Sequence, residues 1–106
     1  FLSSMERYDP STNEWEEEAL TPMPTARRFV GTAVLDDKLY AAGGQSDGDD
    51  DRATSNRVER YDFETKSWEA VAPMAEVREH HSVAVLDGKL YALGGLSDDG
   101  YLSSVE

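Results

Sequence analysis

Apolar side chains in this chain come in short runs, and turn-forming residues close each run before a helical face can develop. "TAVL" at Thr32–Leu35 and "SVAVL" at Ser82–Leu86 do not alternate cleanly, whereas "VERYD" at Val58–Asp62 and "WEEE" at Trp15–Glu18 are far wetter. Pro, Gly and Asp recur about every 10 residues, too often for a 3.6-residue amphipathic period to persist, so the pattern predicts strands throughout. Runs that are apolar on both sides predict central strands covered on both faces, and the wetter runs predict outer ones.

The same pattern is written twice. "KLYAAGG" at Lys38–Gly44 returns as "KLYALGG" at Lys89–Gly95, 51 positions later. "MERYDPSTNEW" at Met5–Trp15 matches "VERYDFETKSW" at Val58–Trp68, and "TPMPTARRFVGTAVLDDKLYAAGG" at Thr21–Gly44 matches "APMAEVREHHSVAVLDGKLYALGG" at Ala72–Gly95. "FLSSME" at Phe1–Glu6 matches "YLSSVE" at Tyr101–Glu106. A period of about 50 residues belongs to repeat architectures. Each repeat predicts four antiparallel strands. Strand a begins at Arg28 or Glu79, strand b is the KLYA segment, strand c ends at Asp9 or Asp62, and strand d carries Trp15 or Trp68. Asp36-Asp37 and Asp87-Gly88 suit two-residue type I′ turns between a and b.

These motifs resemble the Kelch repeat. The residues that carry the resemblance are Gly43-Gly44 and Gly94-Gly95, Tyr8 with Trp15, and Tyr61 with Trp68, together with "VERYD", "PMPTAR" and "AVLDGKLYALGG". The resemblance covers essentially the whole chain. It implies an all-β fold: β-propeller blades of four antiparallel strands around a central channel, most often six blades to a ring. Residues 1–24 would then be strands c and d of a first blade, 25–74 a complete blade, and 75–106 strands a, b and the start of c of a third. About two blades cannot close a ring. The expectation is a fragment of a longer propeller, or a homo-oligomer in which three copies give roughly six blades, with the duplicated strand-c segments favouring the fragment. The glycine pairs are expected to permit tight backbone packing near the axis. The Tyr–Trp pairs are expected to pack blade on blade, and Arg27 and Arg78 to bond loop carbonyls.

Strand alternation puts the d-to-a and b-to-c loops on one face and the a-to-b and c-to-d turns on the other. The first face carries the variation: "QSDGDDDRATSN" in one repeat is "LSDDGYLS" in the other. Variable loops on a rigid scaffold are the usual place for recognition. The resemblance implies a protein or peptide partner here, and by position the contact candidates are Phe1, Arg28, Gln45, Thr54, Glu79, Leu96 and Tyr101. Glu79, Leu96 and an acidic loop stand where some family members carry Arg, Ser and Tyr, so a basic or mixed segment is the expected ligand.

The net charge is −12, from 22 acidic and 10 basic residues. That disfavours nucleic acid and an anionic membrane surface, and no apolar run approaches the roughly 20 residues of a membrane helix. "FLSSMERYD" turns charged too early for a secretory leader; Phe1 is not expected to be a native start. With no cysteine there is no disulfide frame or thiolate. Asp47–Asp51 fails the calcium-loop template, lacking Gly at the sixth place and holding Val58 where a bidentate Glu is required. His80 and His81, adjacent on a strand, would point oppositely and share no metal, and one of them is expected to line the channel or the upper face. No GxSxG, phosphate loop or metal set appears, so no catalytic residue, cofactor or metal is expected.

The resemblance therefore implies a non-enzymatic, cytoplasmic interaction propeller, like the substrate-recognition part of BTB-Kelch adaptors of cullin ubiquitin ligases, although no BTB or BACK domain lies in these residues. The alternatives are a Kelch-type enzyme propeller, of the sialic-acid epimerase or galactose-oxidase kind, or an actin-binding scaffold. The oxidase needs a copper site with Cys and Tyr, and this chain has no Cys.

Overall fold

At Asp36-Asp37 and at Asp87-Gly88 the backbone turns with positive φ at both corner residues, 49° and 62° in the first and 51° and 72° in the second. That is the type I′ geometry whose twist matches the strands it joins. The computed structural model describes residues 1–16, 20–47 and 52–106, and all regular structure among them is strand. In chain order these are β1 (Arg7–Asp9), β2 (Glu14–Glu16), β3 (Arg27–Arg28), β4 (Gly31–Leu35), β5 (Lys38–Ala42), β6 (Gln45–Asp47) and β7 (Arg52–Thr54). They continue as β8 (Val58–Asp62), β9 (Ser67–Val71), β10 (Ser82–Leu86), β11 (Lys89–Leu93), β12 (Leu96–Ser97) and β13 (Gly100–Tyr101).

Strands β4, β5, β8 and β9 form one antiparallel meander in that order, a complete blade. β10 and β11 repeat its first hairpin, and a bridge from Leu93 to Val105 begins a third strand at the corresponding place. β1 and β2 repeat its last hairpin. Tyr8 opposes Trp15 and Tyr61 opposes Trp68 in register, with tilted rings 5.4 Å and 5.3 Å apart. Tyr61 is fully buried, and Phe63 adds an edge contact at 4.8 Å. The two turns agree as well: Asp9 accepts from the Ser11 amide and Asp62 from the Glu64 amide, with Asn13 and Lys66 both left-handed. Trp68 donates its indole N–H to the Thr21 carbonyl at 2.9 Å, tying the complete blade to the segment that follows β2. The Tyr61 hydroxyl is buried with no partner among the described residues. Tyr61→Phe is therefore expected to be neutral or stabilising by up to about 1 kcal/mol in urea unfolding, because it removes only an unsatisfied group.

Three sequence expectations need correction. Strand a does not begin at Arg28 or Glu79 but at Gly31 or Ser82. Phe29 and His80 take φ of 55° and 53°, and a left-handed residue cannot continue a strand. The b-to-c loops are not plain loops. Gln45–Asp47, Arg52–Thr54 and Arg27–Arg28 form a three-stranded sheet of their own, and Leu96–Ser97 with Gly100–Tyr101 forms a small hairpin. The central strands are not covered on both faces: Val34 and Leu86 are exposed. β4 packs against β10.

Arg27 and Arg78 fasten the loop ends to the sheets. Both are buried. Arg27 donates to the carbonyl of Gly43 at 3.1 Å and pairs with Glu59 at 3.5 Å. Burial pushes its guanidinium below the ordinary range and Glu59 pulls it back. Arg78 donates to the carbonyls of Gly94 and Ser104 at 2.8 Å and 3.1 Å, to the Ser104 hydroxyl at 2.9 Å, and to the Glu106 carboxylate at 3.0 Å. Glu106 in turn accepts from the amides of Ala75 and Glu76. The long planar fork suits this task, since one side chain can satisfy several acceptors at once.

Candidate functional site

The loop face is built from two parallel rungs. In the first, Arg28 pairs with Gln45 across β3 and β6, and Gln45 pairs with Thr54 across β6 and β7. In the second, Glu79 bridges Leu96, and Leu96 pairs with Tyr101 across β12 and β13. The backbone of Glu79 both donates to and accepts from Leu96, at 3.0 Å and 2.9 Å. Six of the seven residues singled out from sequence thus stand at one level in corresponding places. The seventh, Phe1, lies beside the first rung, with the Arg28 guanidinium 4.7 Å over its ring. Thr54 is buried, 8 % exposed, and supports the sheet beneath the face instead of presenting a side chain on it. Tyr101 is the opposite extreme at 90 % exposed.

Arg28 is held rigidly. Its Nε and Nη2 both donate to the Gln45 side-chain carbonyl, at 2.9 Å and 2.6 Å. Its guanidinium lies between the rings of Phe1 and Phe29, 4.7 Å and 4.8 Å from their centres. Phe29 then stacks on His80 with ring centres 3.6 Å apart, and the His80 amide donates to the Phe29 carbonyl at 3.3 Å. The result is one continuous row of flat groups, Phe1, Arg28, Phe29 and His80, that crosses from the first rung to the second. Beyond His80 an open hollow of about 410 Å³ is lined by Gly95, Leu96, Tyr101 and Leu102.

Sequence reasoning missed Phe29, and it expected one of His80 and His81 at the channel or the upper face without deciding which. The available signal was that both repeats put a ring directly after the rung residue, Phe29 after Arg28 and His80 after Glu79. Read as interior strand positions, they gave no sign of the left-handed backbone that swings both rings onto the face. The opposite face has a different character: Asp36, Asp37, Asp62 and Glu64 gather around Lys38 and Phe63. The acidic run Asp47–Asp51 extends outside the described residues, apart from the Asp47 backbone in β6. Among the described residues no cluster of His, Asp and Glu has the arrangement of a metal site.

The family model for the Kelch motif matches residues 1–19, 26–75 and 78–106. The chain belongs to the Kelch-repeat family. It is 39% identical over 100 residues to Kelch-like protein 9 of Mus musculus, a match covering 93% of this chain and 16% of that protein. It is 42% identical over 105 residues to Kelch-like protein 28 of Homo sapiens, covering 95% of this chain and 18% of the relative. The solved structure of YjhT shares the fold with a TM-score of 0.80 over 90% of this chain and 28% of that one, at 24% identity. This Kelch chain therefore spans less than a fifth of the length of these curated relatives.

Proposed function

We propose that the loop face docks a peptide segment of a partner protein, and that the chain serves as substrate-recognition surface in a ubiquitin-ligase adaptor of the BTB-Kelch kind. The observation that carries the docking reading is the row Phe1, Arg28, Phe29 and His80. It exposes apolar ring surface on rigid supports beside a hollow with an exposed tyrosine. Preorganised aromatic and arginine groups are the anchors from which protein contacts draw most of their energy. The adaptor reading rests on likeness to Kelch-like proteins. The proposal includes no reaction: the face offers stacking planes and a guanidinium already occupied by Gln45, not a nucleophile paired with a base.

The partner segment is basic or mixed in charge. The 45–56 loop alone carries Asp47, Asp49, Asp50 and Asp51, and Asp98 and Asp99 stand in the corresponding loop. Replacing Asp49, Asp50 and Asp51 together by Lys is expected to weaken such a ligand about tenfold, mostly through slower association, and to flatten its salt dependence. Stopped-flow association rates at low and physiological salt check this, and an unchanged rate would remove the charge assignment.

The docking reading is tested by selecting peptides from a display library on the full-length protein. The double variant Phe29→Ala with Tyr101→Ala is expected to lose the selected peptides. Peptides retained at equal affinity by that variant would overturn the reading.

A further inference from the structure

The second and third blades meet directly beneath the row of rings. The Gly44 amide donates to the Arg78 carbonyl at 2.7 Å, the Arg78 amide to the Ser55 carbonyl at 3.0 Å, and the His80 amide to the Phe29 carbonyl at 3.3 Å. Into this joint fits His81. It lies against three glycines drawn from both blades. A Cβ added at Gly31 would come 2.8 Å from its Nε2, one at Gly43 would come 2.8 Å from its Cε1, and one at Gly95 would come 2.8 Å from its own Cβ. Gly31 and Gly43 leave the room that the imidazole fills, and Gly95 leaves room for the Cβ that carries it.

Its chemistry does not match a charged ring. Both nitrogens of His81 are buried, and neither has a hydrogen-bond partner among the described residues. The corresponding position in the other repeat is Val30, which packs against Gly44 as His81 packs against Gly95. A polar, titratable ring therefore occupies a place where the sister repeat uses a hydrocarbon. Burial pushes the imidazole below its ordinary value of 6.5, and the Arg78 guanidinium pushes it the same way. Only the Ala42 carbonyl favours the proton, without the geometry of a hydrogen bond. β4 brings Gly31 to the ring, the end of β5 brings Gly43, and the segment after β11 brings Gly95. None of these is titratable. Glu79, two positions back, has one carboxylate oxygen buried without a partner and exerts no offsetting pull on the ring.

We propose that His81 is an acid-sensitive latch in the joint between the two blades. Neutral, it fills the glycine niche and the blades close. Protonated, it places a charge beside Arg78 in a site whose one acceptor, the Ala42 carbonyl, is not in hydrogen-bond geometry, and the joint loosens. The sign follows from the lowered native value. Above about pH 6.5 neither the folded nor the unfolded chain holds the proton, and the latch contributes fully. As the pH falls below 6.5 the unfolded chain takes up a proton that the folded one refuses, so stability declines toward acid.

The test is urea unfolding of the full-length protein between pH 7.5 and 5.5, in the wild type, His81→Val and His80→Gln. His81→Val installs the residue that the other repeat uses, and His80→Gln controls for the exposed neighbour. Between pH 7.5 and 5.5 the unfolding constant of the wild type is expected to rise several-fold more than that of His81→Val, approaching about tenfold if the folded ring takes up no proton in this range. His80→Gln is expected to follow the wild type. Parallel pH dependence in the wild type and His81→Val would overturn the proposal. Should His81→Val fail to fold, NMR titration of the wild-type histidine rings decides alone: a His81 ring that stays neutral below pH 6 supports the latch, and one that titrates at 6.5 or above refutes it. Because the joint carries Phe29 and His80, peptide affinity should fall over the same range, a consequence that rests on the docking reading above. A joint that loosens on schedule while a selected peptide binds unchanged would count against the docking face and leave the latch standing.

Discussion

Replacing Arg78 with Met lowers the folding stability of this protein by about 3 kcal/mol, measured as the shift in urea unfolding at neutral pH. Arg78 is 0 % exposed, and its fork serves four acceptors: two carbonyls, one hydroxyl and one carboxylate. Methionine fills much of the volume but donates nothing, which leaves the Gly94 carbonyl without its Arg78 donor and the Ser104 carbonyl with the Gly94 amide alone. Removing one member of a buried ion pair costs about 3–5 kcal/mol. The lower end applies here because the Glu106 side chain is 26% exposed and keeps its bonds from the Ala75 and Glu76 amides. Arg78→Lys should recover less than half of the loss, since an ammonium cannot reach both carbonyls and the carboxylate at once. Arg7 with Glu16 offers the contrast: the same chemistry between two exposed side chains, where substitution should change little. The Glu106 carboxyl also titrates low. Burial opposes its charge, but the Ala75 amide and the Arg78 guanidinium outweigh it. Its contribution is therefore complete above about pH 4.5 and lost as the pH falls through its lowered native value.

The second large effect is Gly43→Ala. Gly43 has φ of 66°, and a Cβ there would stand 2.5 Å from the Arg78 carbonyl oxygen and 2.8 Å from His81. Backbone strain in the left-handed region costs about 1–3 kcal/mol, and overpacking adds a similar amount. A loss of roughly 2–4 kcal/mol is expected. Gly88→Ala separates the two causes. It has nearly the same φ, 72°, but no atom within 4 Å of the added Cβ, so only the strain of about 1–2 kcal/mol should remain. Equal losses at both positions would show that strain alone explains these glycines, and that the close approach of the two blades contributes nothing.

The repeat and its hairpins were legible because their determinants are local. Asp87-Gly88 specifies its turn by itself, and Tyr61 opposite Trp68 follows from the spacing once the turn is placed. Arg27 and Arg78 were legible as carbonyl binders because they recur at one site of the repeat. The small sheets in the loops were not legible. Gln45–Asp47 and Leu96–Ser97 are two or three residues long, and their pairing depends on the returning segments before Gly31 and Ser82. Phe29 was the largest omission, and His80 was not told apart from His81. A bulky residue at positive φ carries no composition signal, and only the folded backbone shows that both rings leave the strand and meet across the joint. The apolar central strands were over-read: Val34 and Leu86 are apolar as predicted, yet each lies exposed.

The measurement that tests the account most directly is the affinity of one display-selected peptide for three forms of the full-length protein: wild type, Tyr101→Ala on the loop face, and Phe63→Ala on the opposite face. Both substituted side chains are exposed, so stability should be little disturbed and position is what differs. A docking face at the loops predicts a loss of tenfold or more for Tyr101→Ala, as about 1.4 kcal/mol at an exposed aromatic anchor requires, and no change for Phe63→Ala. A loss at Phe63 with Tyr101 indifferent would put the contact on the turn face and contradict the account.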